Sequence, residues 1–172
     1  MLFNSYIFIF LFLPITLFVF HLLGKKGYNR LTISWLVAAS LFFYGWWNPI
    51  YIGLIVGSAL FNYAIGFVLL TRPYKLFLSL GIMGNLVALG YFKYANFFVN
   101  NINALLDNNI ILEQIILPLG ISFFTFQQIT YLVDTYLGKT KEYNFLQYCL
   151  FVTFFPQLIA GPIVHHKNMM PQ

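Results

Sequence analysis

The fold class this sequence predicts is all-α, a polytopic bundle of transmembrane helices, and three observations predict it. Of the 172 residues, 60% are hydrophobic and 21% aromatic, while only 8% are charged, against roughly a quarter in soluble domains. That is too little charge to cover a water-facing surface. Several apolar stretches reach the roughly 18 to 20 residues that cross a hydrocarbon core. The nine Lys and Arg residues sit in short clusters between those stretches, where they orient helices against the cytoplasmic side. The net charge of +5 therefore reads as a topology signal and not as a nucleic-acid footprint. The expected partner is the lipid bilayer. The single cysteine, Cys149, lies inside an apolar run, so there is no disulfide framework and a buried, inert thiol is expected.

The elements follow in order. The first apolar run, 5–23, has no basic segment before it and no small-residue cleavage site after it, so it is read as a retained helix and not a signal peptide. Lys25, Lys26 and Arg30 come after it, which places the N-terminus outside and the first loop inside. A second helix, 31–47, returns outward and ends at "FYGWWNP", with Tyr44, Trp46 and Trp47 at headgroup depth. Pro49 opens a third, 49–70, which ends inside at "TRPYK". A fourth, 75–98, runs outward. The segment "NNINALLDNNIILEQ" carries Asp107 and Glu113 and no basic residue, and is expected as an outer loop or surface helix. A fifth helix, 115–137, returns to "GKTKE". No internal repeat or linker interrupts the chain, which reads as one membrane domain or part of one.

The last apolar run, 145–164, breaks this regularity. Lys139 and Lys141 precede it, and His165, His166 and Lys167 follow it, so the charge rule assigns both flanks to the inside. The run also contains Pro156 and Gly161-Pro162, and each proline removes a backbone donor. Backbone groups freed in hydrocarbon are tolerated only inside a bundle or along a wet cavity. Two readings stay open: a re-entrant segment lining a cytoplasmic cavity, or a Pro-kinked span.

Polar residues inside the apolar runs are the candidate site. Gln127, Tyr131 and Asp134 recur at i, i+4 and i+7 on the fifth helix, forming one polar stripe, with Gln128 one step off it. Such a stripe serves helix–helix hydrogen bonding or walls a substrate tunnel. Lys93, flanked by tyrosines in "GYFKYANFF", is expected to snorkel to the outer interface. Gly53, Gly57 and Ser58, with Gly81 and Gly84, are expected as small-residue packing contacts between helices. His165 and His166 are adjacent, so on a helix they point about 100° apart and do not share a metal ion readily. The only other histidine is His21, and zinc takes three or four ligands. No metal site is expected. No phosphate loop, nucleophile elbow or paired carboxylate appears either.

The stretches "FYGWWNP", "LGYFKYANFF", "LPLGISFFTFQQITYLVDTY" and "FFPQLIAGPIVHHKNMMPQ", in this order, resemble the membrane-bound O-acyltransferase family. The resemblance covers essentially the whole chain and is greatest to the alginate-acetylating branch, with the D-alanyl transfer protein of teichoic acids a more distant cousin. It implies tilted helices around a thin core, multi-pass in a bacterial inner membrane. It implies transfer of an acetyl group from a cytoplasmic donor, acetyl-CoA or a carrier thioester, to hydroxyls of an exported polysaccharide. Periplasmic or extracellular acetyltransferase partners are implied as well, and no bound cofactor. The family's catalytic histidine lies in a hydrophobic stretch well downstream of "AGPIV" and has no counterpart up to Gln172. His165 and His166 match the segment after that motif and do not inherit its role. Residues 1–172 are accordingly expected to be the N-terminal part of such an enzyme, inactive alone. Within them the resemblance and the residues together point to Gln127, Tyr131, Asp134, Pro156, Gly161 and Pro162 as walls of a donor entrance. His165, His166 and Lys167 would attract donor phosphates at its cytoplasmic mouth. A transporter or channel and a non-catalytic membrane scaffold are the other classes that broken helices and a polar stripe allow.

Overall fold

The computed structural model describes residues 4–106, 116–139 and 144–160. Among them every regular element is a helix. The first begins where the Ser5 hydroxyl accepts the Phe8 N–H at 3.2 Å, as an N-cap serine does. It passes through a wide π-helical turn at Phe8–Phe12 into α1, Leu13–Lys25. Gly27, at φ 71°, then closes the helix: its N–H bonds to the Gly24 carbonyl, and the Tyr28 N–H to that of Leu23. This pair of bonds is a Schellman motif, and only a residue free to enter the left-handed region makes it without strain.

Helix α2 spans Asn29–Trp47 and α3 spans Ile50–Thr71. Between them the Asn48 side-chain oxygen accepts the Ile50 N–H at 3.0 Å, and Pro49, at φ −59°, is already set for a helix start. Pro73 ends α3 by withholding a donor. Helix α4 runs Lys75–Leu106, eight residues past its expected end at 98. Val99, Ile102 and Leu105 continue its apolar face, no Gly or Pro stops it, and the Asn101 amide bonds back to the Phe97 carbonyl at 2.7 Å. The start of the expected outer loop is therefore more helix; its remainder, 107–115, lies outside the described residues. At about 1.5 Å per residue, these 32 residues outrun a hydrocarbon core of roughly 30 Å.

Helix α5 is shorter than expected, Ile121–Tyr136 instead of 115–137. Pro118 supplies no donor and Gly120 takes φ 68°, so the helix starts only after them. Its other end repeats the Schellman geometry. Gly138 (φ 67°) and Lys139 donate to the Thr135 and Asp134 carbonyls. The last apolar run is broken, as its prolines predict: α6 covers Phe145–Thr153, Phe154 leaves the helical region at ψ 107°, and α7 covers Phe155–Ala160. A proline at position 156 cannot bond the Val152 carbonyl and crowds it. Residues 161–164 lie outside the described residues.

Three of these helices are long and apolar enough to cross a membrane: Phe8–Lys25, Ile50–Thr71 and Lys75–Leu105. Their large side chains face outward. Phe10, Phe18, Phe67, Val87, Phe97 and Phe98 are all exposed, whereas Asn62, Asn85, Thr125, Gln127 and Gln128 are buried. Apolar outside and polar groups between helices is the inverse of a soluble bundle and suits lipid as solvent. Packing gathers the helices into two groups. Helix α2 lies along α1 and α6 and carries α7; α5 lies along both α3 and α4. The groups meet more sparsely, where α2 and α6 touch α3, and where α6 and α7 touch α5.

Candidate functional site

The site is built on α5, whose neighbouring glutamines face different partners. On one side Gln128 Oε1 accepts hydrogen bonds from Ser58 Oγ at 2.6 Å and Asn62 Nδ2 at 2.7 Å. Asn62 and Asn85 exchange amide bonds, Asn85 donating at 2.6 Å and Asn62 at 3.1 Å. Each also bonds back along its own helix, Asn62 to the Ser58 carbonyl at 2.9 Å and Asn85 to that of Gly81 at 2.8 Å. The result ties α3, α4 and α5 together through four uncharged side chains. In a membrane, where helices gain little from apolar burial against one another, each such bond contributes on the order of 0.6–2 kcal/mol.

Ser58 thus works as a hydrogen-bond donor, not as the packing contact its small size suggested. Gly53 and Gly57 are no packing contacts either: an added Cβ would meet nothing within 4 Å at either position. Gly81 and Gly84 do bring helices together. A Cβ there would come within 2.5 Å of Leu132 Cδ1 and 2.8 Å of the Phe61 ring, respectively. Asn62 and Asn85 are the site residues that sequence reasoning missed. Their signal was available, since a carboxamide in the middle of a long apolar run must find a partner or face a cavity.

The predicted stripe turns toward the other helix group. Tyr131 packs its ring on Tyr148 of α6 with centroids 4.5 Å apart, and Tyr148 meets Tyr63 of α3 at 5.5 Å. The Tyr131 ring also lies over Gly66, where a Cβ would come within 2.5 Å of Cε1. Asp134 is buried near the C-terminal end of α5. Gln127 is 1% exposed, and both atoms of its amide lack a hydrogen-bond partner among the described residues. The same holds for the amide of Gln157 on α7 and the hydroxyls of Tyr148 and Tyr44. A buried polar group left so costs about 1–3 kcal/mol.

The helix break sits beside this face and is anchored to α2. The Phe155 N–H donates to Ser40 Oγ at 3.3 Å, which supplies an acceptor for the first donor after the interruption. The Phe155 ring is boxed by Phe43, Phe12 and Phe8 at centroid distances of 5.3, 5.4 and 6.1 Å. Pro156 follows directly. The irregular backbone is thus followed directly by a buried, ring-packed residue, Phe155. Of the remaining predicted site residues, Gly161, Pro162, His165, His166 and Lys167 lie outside the described residues.

Elsewhere the surface offers less chemistry. Lys93 Nζ stands 5.4 Å from the centroid of the Tyr94 ring, a cation–π distance. A groove of about 470 Å³ between α1 and α2 is lined by Leu11, Ile15, Trp35, Ala38, Phe42 and others. Its polar members are committed: Thr16 bonds back to the Phe12 carbonyl at 2.7 Å, and Trp35 Nε1 donates to the Thr16 carbonyl at 3.1 Å. No cluster of three or more His, Cys, Asp or Glu occurs among the described residues.

Fold and site together define a helical membrane protein with a polar interior of amides, hydroxyls and one buried acidic residue, Asp134. Comparison with known proteins places it more closely. The whole chain aligns with a peptidoglycan O-acetyltransferase of Helicobacter pylori at 45% identity. It also aligns over its full length with the probable alginate O-acetylase AlgI of Pseudomonas putida at 41% and that of Pseudomonas aeruginosa at 40%. The chain is therefore similar over its whole length to proteins named for O-acetylation. It spans 38%, 37% and 34% of the length of these relatives, respectively. No family model matches the chain, and no solved structure does.

Proposed function

We propose that this chain is part of a membrane-bound O-acetyltransferase that passes an acetyl group from a cytoplasmic donor to hydroxyls of a cell-envelope polysaccharide. The observation that carries the reading is full-length similarity, at 40–45% identity, to proteins named for O-acetylation of peptidoglycan and alginate. The structure supports it with a polar interior beside a broken helix. Acyl transfer from a thioester needs a base at the attacking hydroxyl, a polarised carbonyl and a site that excludes water. Among the described residues the one histidine, His21, is exposed on α1, away from that interior. The base then comes from the portion of the enzyme beyond these residues, as the resemblance implies.

The roles of this chain are in shaping and binding. Gln127, Tyr131 and Asp134 form one wall of the donor path, and Pro156, Gly161 and Pro162 form its irregular entrance. His165, His166 and Lys167 stand at the cytoplasmic mouth and attract the phosphates of acetyl-CoA or of a carrier thioester. The enzyme sits in the inner membrane with the N-terminus outside, and works with extracytoplasmic acetyltransferase partners. The test is acetyl transfer by the full-length protein in membrane vesicles, with labelled acetyl-CoA outside inverted vesicles and polysaccharide within. Label in ester linkage to the polysaccharide is expected. Label that stays with the donor under conditions where an alginate O-acetylase transfers it would overturn the proposal.

A further inference from the structure

Gln127, Tyr148 and Gln157 lie on three different helices, α5, α6 and α7, and are 1%, 0% and 7% exposed. Their side-chain polar atoms have no partner among the described residues. All three helices meet at the sparse junction between the two helix groups. The Tyr131–Tyr148 ring contact, 4.5 Å between centroids, sets the register of α5 against α6. Gln127 is one turn before Tyr131 on the same face of α5. Helix α7, which carries Gln157, also touches α5. The three helices that meet at this seam thus each carry an orphaned polar group.

The opposite side of α5 is a control within the same molecule. One residue along, Gln128 Oε1 is bonded twice to α3 and the Asn62–Asn85 pair joins α3 to α4, although Gln128 Nε2 has no partner among the described residues. On the other flank, α6 and α7 are held to α2 by close packing, the Ser40–Phe155 bond and the phenylalanine box. Each group is tied internally, and five of the seven buried side-chain polar atoms without a partner among the described residues belong to Gln127, Tyr148 and Gln157, the other two being Gln128 Nε2 and Tyr44 Oη. Buried polar groups normally have partners, and a seam without them is relieved when it parts and something pairs with its amides. Charge limits what that is. Every described Lys and Arg is exposed, so no described Lys or Arg in the seam holds an anion.

We infer that the seam between α5 and the α6–α7 pair is a binding site that opens as the two helix groups separate. It takes an uncharged ligand segment bearing amide or hydroxyl groups, held by the carboxamides of Gln127 and Gln157 and the hydroxyl of Tyr148. The inference does not depend on which acyl group is transferred, and its test reads accessibility without any acetyl donor.

The experiment uses the full-length protein in membrane vesicles with Cys149→Ser and one of Gln127→Cys, Gln157→Cys or, as the locked control, Asn62→Cys. Each is treated with uncharged methyl methanethiosulfonate or with its anionic sulfonatoethyl analogue. The two seam cysteines are expected to react with the uncharged reagent about tenfold or more faster than the control, as sites exposed by local opening do, with the anionic reagent slower. Seam rates no faster than the control overturn the opening. Equal rates for the two reagents overturn the assignment of an uncharged ligand. Hydroxyl-radical footprinting of the unsubstituted protein guards against misfolded variants. Tyr148 should be oxidised while the equally buried Phe43 is spared, and a Tyr148 as protected as Phe43 sinks the proposal.

Discussion

Gln127 and Gln128 are consecutive and both buried, yet only Gln128 has a bonded amide oxygen, its Oε1 accepting from Ser58 and Asn62 at 2.6 and 2.7 Å, while its Nε2, like both polar atoms of Gln127, has no partner among the described residues. Consecutive residues on a helix point about 100° apart, so α5 turns Gln128 to α3 and Gln127 to a different side of the helix. The consequence is a sharp contrast between two substitutions of the same size. Gln128→Met takes the acceptor from the Ser58 hydroxyl and one of three from the Asn62 amide, and should cost about 1–3 kcal/mol. Gln127→Met removes orphaned atoms and should be neutral or stabilising. Thermal unfolding of the full-length protein in detergent, followed by tryptophan fluorescence, checks this; equal shifts in Tm for the two variants would show that the pairing is not what holds α5.

Glycines at close crossings and at open surfaces should also part company. Gly66→Ala drives a methyl into the Tyr131 ring, 2.5 Å from Cε1 and 2.8 Å from Cζ. That ring cannot move freely because Tyr148 backs it at 4.5 Å. Overpacking of this kind costs about 1–3 kcal/mol. Gly57→Ala meets nothing within 4 Å and should gain up to about 1 kcal/mol of helix propensity. The same unfolding assay reads both, and a Gly66→Ala protein as stable as the parent would contradict the crossing.

How much of this was legible in the sequence depends on how local the cause is. The break before Pro156, the start of α3 at Pro49 and the turn at Gly27 each follow from residues within a few positions, and the structure has them. The late start of α5 is also local: Pro118 and Gly120 stand in plain view, but an apolar run through 115–120 concealed them. Long-range facts were out of reach. Nothing near Ser40 says that it will meet a backbone donor 115 positions away. The amide network falls between these cases. Asn62 and Asn85 were visible as carboxamides in apolar helices, which demands a partner, but which of Gln127 and Gln128 would supply it was decided by the rotation of α5 in the bundle.

The Ser40 contact gives a third prediction. Ser40→Ala removes the hydroxyl that accepts from the buried Phe155 N–H, a loss worth about 1–3 kcal/mol. The phenylalanine box should keep α7 in place, so the loss appears locally. Hydrogen exchange at the Phe155 amide should speed up by a factor of about 5 to 100, the same energy expressed as an opening equilibrium. Exchange as slow as in the parent would mean that Ser40 does not cap the break.

The last prediction concerns the basic segment that follows the "AGPIV" motif. If His165, His166 and Lys167 attract donor phosphates, replacing all three by Ala should raise KM for acetyl-CoA and leave kcat alone, because phosphates are far from the reacting carbonyl and are held equally in ground and transition states. Loss of two or three charge-assisted contacts to a mobile, hydrated phosphate corresponds to a change of order tenfold. Raising ionic strength should weaken donor binding in the parent and leave the variant nearly unaffected. A variant with lowered kcat and unchanged KM would place these residues at the chemistry instead of at the entrance, and unchanged kinetics throughout would remove them from the donor path altogether.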